Sequence, residues 1–136
     1  MSERELSVKI VIVDDDEQLR GLCSIIMKQL GIDVVGNFKN GEEALDFFKK
    51  NREEERYKID ILLTDVGMPK MDGSELARLV REIYPAESGL KIIFMSGFGI
   101  IESQEDAEKN GGNAFIAKPF EIKALKKMIL KVLSET

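Results

Sequence analysis

The stretch Val8 to Asp16, VKIVIVDDD, decides how the chain folds. Val8 to Val13 is rich in β-branched residues and apolar on both alternating faces, the pattern of a strand buried on both sides within a parallel sheet. Three carboxylates follow without a spacer. Asp16 then opens a helical pattern to Leu30, in which Leu19, Leu22, Cys23, Ile26 and Leu30 recur at three- and four-residue spacing before Gly31 stops it. A strand therefore delivers acids to its carboxyl end, and a helix begins there.

Outward from this unit the same rhythm repeats. Asp33 to Phe38 reads as a weaker strand, and Asn40 with Glu43 forms a variant capping box opening a helix to about Lys50. Residues 51 to 58 are charged and aperiodic, and read as a solvated connection. Ile59 to Thr64 is the next buried strand and ends at Asp65. Gly67-Met68-Pro69-Lys70-Met71-Asp72-Gly73 is turn chemistry before a helix from about Ser74 to Tyr84. Leu90 to Met95 is a fourth strand closed by Ser96-Gly97-Phe98-Gly99. A short helix near Glu102 to Asn110 ends at Gly111-Gly112, and Ala114 to Ala117 is a fifth strand. The last helix, Phe120 to Leu133, shows an apolar face through Ile122, Leu125, Ile129 and Leu133. Five alternations of strand and helix predict an α/β fold, a parallel sheet with helices on both faces.

Composition narrows the chemistry. The chain has 136 residues, a length expected for a single domain over 1–136, and a net charge of −5, which argues against a nucleic-acid footprint. Histidine is absent, so imidazole-based zinc sites, Ser-His-Asp triads and phosphohistidine carriers are excluded together. The single cysteine, Cys23, reads as a small core residue and suits a reducing, cytoplasmic setting. No apolar run reaches the roughly 20 residues that span a bilayer, and Met1 to Leu6 do not read as a signal peptide, so no membrane role is expected.

Ligands of parallel α/β sheets bind outside the carboxyl ends of the strands. There this chain places Asp14 and Asp15, Asp65, Ser96 and Lys118, each at the end of a different predicted strand apart from the first pair. Two carboxylates about 4 Å apart repel by roughly 4 kcal/mol at an effective dielectric near 20. Clustered acids therefore call for a divalent cation, and all-oxygen ligands suit Mg²⁺, or Mn²⁺ in its place. With Lys118 as a second positive charge, such a site is poised to receive a phosphoryl dianion.

Asp14-Asp15 after a buried strand, Asp65 followed by Met68-Pro69 and Asp72-Gly73, Ser96, and Lys118-Pro119, in that order, resemble the receiver domain of two-component response regulators, stand-alone chemotaxis regulators in particular. The likeness covers about Val8 to Leu133. It implies a flavodoxin-like, three-layer (βα)5 fold with strand order 2-1-3-4-5, a core over about residues 8–134, and no output domain. It implies that Asp65 takes a phosphoryl group from a phosphohistidine of a sensor histidine kinase or phosphotransfer protein. Asp15, Asp65 and the Gly67 carbonyl would bind Mg²⁺ directly, with Asp14 acting largely through metal-bound water. Lys118 and Ser96 would contact phosphoryl oxygens. Ser96 and Phe115 would form the switch that reshapes the surface of the fourth helix, fifth strand and fifth helix for a downstream protein. Lys118-Pro119 matches the family's cis peptide.

Further expectations follow from that likeness. The protein would catalyse only its own phosphorylation and slow autodephosphorylation. Gly67, two residues after Asp65, and Phe98, two after Ser96, affect water access in opposite senses. Lys123, Lys126, Lys127 and Lys131 read as a solvated helix face, and any surplus of Leu22, Ile25 and Ile26 beyond core packing would serve kinase docking. The alternative is a phosphatase of the haloacid dehalogenase type, with Asp14 of Asp14-x-Asp16 as nucleophile. Against it, Gln18 stands where threonine or valine is expected, and the later acidic motif is missing.

Overall fold

The computed structural model describes residues 7–97 and 99–135. Among these, the elements run β1 (Lys9–Val13), α1 (Glu17–Gln29), β2 (Asp33–Phe38), α2 (Gly41–Glu54), β3 (Ile61–Asp65), α3 (Gly73–Ile83), a 3₁₀ turn (Ala86–Ser88), β4 (Lys91–Ser96), α4 (Gln104–Lys109), β5 (Ala114–Ala117) and α5 (Ile122–Ser134). All strand pairs are parallel and the sheet order is β2-β1-β3-β4-β5. This is the expected flavodoxin-like arrangement. No helix among the described residues is long and apolar enough to cross a membrane.

The two-residue period of the strands sorts the core into two layers. Val11, Val13, Leu62, Ile92 and Phe94 face Ala44, Leu45 and Phe48 of α2, Leu76, Ala77 and Val80 of α3, and Ala107 of α4. Ile10, Ile12, Ile61, Leu63, Ile93 and Met95 face Cys23, Ile26 and Met27 of α1, with Leu125, Ile129 and Val132 of α5. Helices on both faces leave the central strands dry: Ile10 to Val13 and Ile61 to Leu63 have no exposed surface. Each such side chain stabilises the fold by about 1.5–3 kcal/mol. Polar side chains on these strands can reach solvent only at their ends. Cys23 lies in this core, its thiol pushed up to about 11 by burial first and by Asp14 second, with Lys118 acting the other way.

Local signals fix the helix starts. Asp16 caps α1, its carboxylate accepting from the backbone N–H groups of Gln18 and Leu19. Asn40 Oδ1 accepts from the Glu43 N–H at 2.8 Å, and Asn40 Nδ2 donates to the Glu43 carboxylate at 2.7 Å, a side-chain variant of the capping box.

Two expectations need correction. Residues 51 to 54 continue α2, and Asn51 is buried at its end rather than solvated. Its Nδ2 donates to the Tyr84 hydroxyl at 2.9 Å and to the Tyr57 carbonyl at 3.0 Å, while its Oδ1 accepts from the Tyr57 N–H at 2.9 Å. The Tyr84 hydroxyl in turn donates to the Phe48 carbonyl. Asn51 completes the stripe Ala44–Phe48–Asn51, so a polar residue occupies a core position because every polar atom finds a partner. The second concerns α5, whose core stripe is Leu125, Ile129 and Val132. Ile122 is 47 % exposed.

Candidate functional site

Sheet register brings the strand ends to one rim. Val13 pairs with Thr64, Asp65 with Met95, and Ser96 with Ala117, so Asp14, Asp65, Ser96 and Lys118 leave four neighbouring strands at nearly one level. Asp14 is fully buried and Asp65 is 5 % exposed, while Asp15 faces solvent. A carboxylate oxygen from each of these three acids lies within 4.8 Å of the others. Lys118 Nζ is 2.8 Å from Asp14 Oδ2 and 3.1 Å from Asp65 Oδ1. The four residues expected to form the charged centre are thus together.

Main-chain contacts hold the acids in place. The Asp14 N–H donates to the Phe38 carbonyl at 3.1 Å, and Asp14 Oδ1 accepts from the Asp16 N–H at 2.8 Å. Past Asp65, the Val66 N–H donates to the Met95 carbonyl, and the Gly73 N–H donates to the Val66 carbonyl at 2.9 Å. The Thr64 hydroxyl donates to the Asp65 carbonyl. At Gly73 the start of α3 presses against this backbone. A Cβ there would lie 2.1 Å from the Asp65 carbonyl oxygen, so glycine is required by contact.

The electrostatics follow from burial and crowding. Asp65 is held above the usual carboxylate range, by desolvation first and by repulsion from Asp14 second, with Lys118 opposing. Burial alone would pull the Lys118 ammonium down, but hydrogen bonds and charge from Asp14 and Asp65 outweigh it and hold it above its ordinary value. Three carboxylates against one ammonium leave about two negative charges to balance. An all-oxygen donor set of this kind fits a hard divalent cation.

The Ser96 hydroxyl is engaged with the segment that follows β4. It donates to the Gly97 carbonyl and accepts from the Ile101 N–H, both at 3.0 Å. Ser96 lines a cleft of about 310 Å³ with Gly97, Ile101, Phe115, Ala117 and Lys118. Phe115 is half-buried beside this cleft. Gly67 is exposed just after Val66, and a Cβ on it would meet Ile100 Cδ1 at 3.6 Å. The Lys118–Pro119 peptide is cis, as the family likeness implied. Phe98 lies outside the described residues.

Sequence reading passed over Arg20. Its Nη1 donates to the Asp14 carbonyl at 2.7 Å, directly behind the acidic pair. Its acceptor is a backbone carbonyl, which leaves no signal in the sequence. Gly73 reads in the sequence only as turn chemistry, because contact with a distant backbone leaves no mark in local sequence.

Comparison with known proteins agrees with this geometry. The family model described as response regulator receiver domain matches residues 10–130. A response regulator receiver protein, CpdR, from Brucella abortus is 34 % identical over 125 residues, covering 92 % of this chain and 96 % of that one. A chemotaxis protein CheY homolog from Campylobacter jejuni is 33 % identical over 126 residues, covering 93 % and 92 %. Among solved structures, one chain of the CheX–CheY–BeF3–Mg²⁺ complex from Borrelia burgdorferi superposes with a TM-score of 0.76 at 25 % identity, over 93 % of this chain and 89 % of that one.

Proposed function

The chain belongs to the response regulator receiver domain family of two-component signalling, and from that premise we propose that Asp65 is its phosphoacceptor, charged by a histidine kinase or phosphotransfer protein. The observation that carries the reading is the juxtaposition of Asp14, Asp15 and Asp65 within 4.8 Å, with Lys118 touching both buried members. An Asp65 carboxylate oxygen attacks phosphorus, the phosphorus–nitrogen bond to the donor imidazole breaks, and that nitrogen keeps the electron pair and takes up a proton. In-line phosphoryl transfer asks the protein mainly for positioning and charge neutralisation.

Asp15, Asp65 and the Gly67 carbonyl are assigned as protein ligands of Mg²⁺, with Asp14 beside them. When bound, the cation neutralises charge between the acids and the incoming phosphoryl oxygens. The Mg²⁺-containing complex of the Borrelia relative supports this choice of metal. Lys118 turns part of its ammonium from Asp65 to a phosphoryl oxygen, and the Ser96 hydroxyl leaves the Gly97–Ile101 segment for another. Phe115 follows into the cleft that it shares with Ser96, and the α4-β5-α5 surface changes for a downstream protein. This is a two-state equilibrium biased by phosphorylation. The protein acts as a cytoplasmic switch, with no catalysis beyond its own phosphorylation and slow dephosphorylation.

The phosphatase alternative fits the geometry less well. Asp14 is fully buried, and both its carboxylate oxygens are engaged, by the Asp16 N–H and by Lys118. The Asp65 side chain, by contrast, keeps 8 % of its surface exposed where Asp14 keeps none. Incubation with acetyl phosphate and Mg²⁺ should add one phosphoryl group by intact mass, and chelation or Asp65→Asn should abolish the gain. Labelling that survives in Asp65→Asn but is lost in Asp14→Asn would reverse the assignment.

A further inference from the structure

We infer that Arg20 is a positioning residue for metal binding: it fixes the Asp14–Asp15 peptide so that the Asp15 carboxylate is held toward the same cation position as the rest of the acidic cluster. The inference rests on the metal-binding reading of the acidic cluster given above. Asp14 ends the sheet, and three of its four polar contacts lie on its amino side or its side chain: the N–H to Phe38, Oδ1 to the Asp16 N–H, and Oδ2 to Lys118. The fourth is on its carboxyl side, where the carbonyl accepts from Arg20 Nη1 at 2.7 Å. That carbonyl belongs to the peptide joining Asp14 to Asp15. Its plane sets the direction in which the exposed Asp15 side chain leaves the backbone.

The guanidinium is itself oriented. Arg20 Nε donates to Asn37 Oδ1 at 2.8 Å, and Asn37 Nδ2 donates to Ser24 Oγ at 2.8 Å. A relay from β2 and α1 thus converges on one peptide of the β1–α1 turn. A planar guanidinium suits this task, because its rigid frame fixes the angle between the Nε–H held by Asn37 and the Nη1–H aimed at the Asp14 carbonyl.

Two effects of Arg20 on Mg²⁺ have opposite signs, and this makes the inference testable. As a bare charge beside an acidic cluster, Arg20 repels a cation, so its removal should tighten binding. As a positioning residue it pre-aligns Asp15 with the rest of the acidic cluster, so its removal should weaken binding. Groups that orient ligands without touching the metal typically govern affinity by about 10–100-fold.

The experiment is a Mg²⁺ titration of the full chain followed by amide NMR shifts of residues 13 to 16, with thermal melts in EDTA alongside. Arg20→Met is expected to weaken Mg²⁺ binding about tenfold. Arg20→Lys, which offers a charge and one direction, should recover part of it. Asn37→Ala should weaken binding less, and the double variant should bind no worse than Arg20→Met alone, since both act through one relay. Unchanged or tighter Mg²⁺ binding by Arg20→Met overturns the inference, even if its melting temperature falls, because that pattern marks a structural brace only. If the unaltered protein shows no Mg²⁺-dependent shifts, the metal reading itself fails and takes this inference with it.

Discussion

The ends of β1 and β3 share a rim with the end of β4, but the two regions are built differently. Around Asp14 and Asp65 the backbone is tied at several points: to Phe38, Met95 and Arg20, and to α3 through Gly73. Around Ser96, one hydroxyl with two partners anchors the segment leading to α4, and α4 itself has six residues. A helix that short has little stability of its own. The difference suggests a division of labour. A charged centre must be rigid to align phosphorus with one oxygen, whereas a responding rim must have a second arrangement of nearly equal energy.

The largest expected effect breaks the rigid half. Lys118→Met leaves buried Asp14 without its cation, and removing one partner of a buried pair costs about 3–5 kcal/mol. The lower end applies here because the Lys118 side chain is 24 % exposed. Urea unfolding in EDTA should show this loss, and saturating Mg²⁺ should restore part of it. An unchanged midpoint would mean that the pair is not holding the strand ends together. Gly73→Ala comes next. The clash with the Asp65 carbonyl should cost about 1–3 kcal/mol, as overpacking does, and should slow acetyl phosphate labelling, because the nucleophile's own backbone must move.

Asn51→Ala sharpens the comparison from outside the site. It strands the Tyr57 peptide and leaves the Tyr84 hydroxyl only its bond to the Phe48 carbonyl, and is expected to lower stability by about 1–3 kcal/mol while leaving labelling intact. Ser96→Ala should cost about 1 kcal/mol and leave Mg²⁺ affinity unchanged. It should also blunt the amide-shift changes of residues 100–103 and α4 on phosphorylation. Shifts as large as in the unaltered protein would remove Ser96 from the switch.

The smallest effect concerns pH. The folded state holds the Asp65 carboxyl above its unfolded value, so the folded protein binds the proton more tightly. The stability linked to this group is therefore present at low pH and lost as pH rises through the folded value. Asp65→Asn should accordingly raise the metal-free melting temperature by a few degrees at neutral pH and lose that advantage in acid. A variant that melts lower than the unaltered protein at neutral pH would mean that the ion pair with Lys118 outweighs desolvation.

Much of this was legible in the residues. Buried strands write themselves as apolar runs, and acids that directly follow such a run must lie at the strand's carboxyl end, so the positions of Asp14, Asp15 and Asp65 could be read. Asp16 and Asn40 were readable as caps because capping is local. Asn51 was not, because a polar residue in a core position looks like a solvated one until its distant partner Tyr84 is known. Nor was Arg20, which acts on a backbone carbonyl rather than on any side chain that a motif would name. Ile122 was misassigned to the α5 core, since periodicity alone cannot tell which edge of an apolar stripe faces the sheet.

Borohydride trapping tests the phosphoacceptor most directly. The protein is labelled with acetyl phosphate and Mg²⁺, reduced so that an aspartyl phosphate becomes homoserine, and mapped by peptide mass spectrometry. Homoserine at position 65, absent when Mg²⁺ is chelated, is the expected result. Homoserine at position 14, or none at all from protein that binds Mg²⁺, would contradict it.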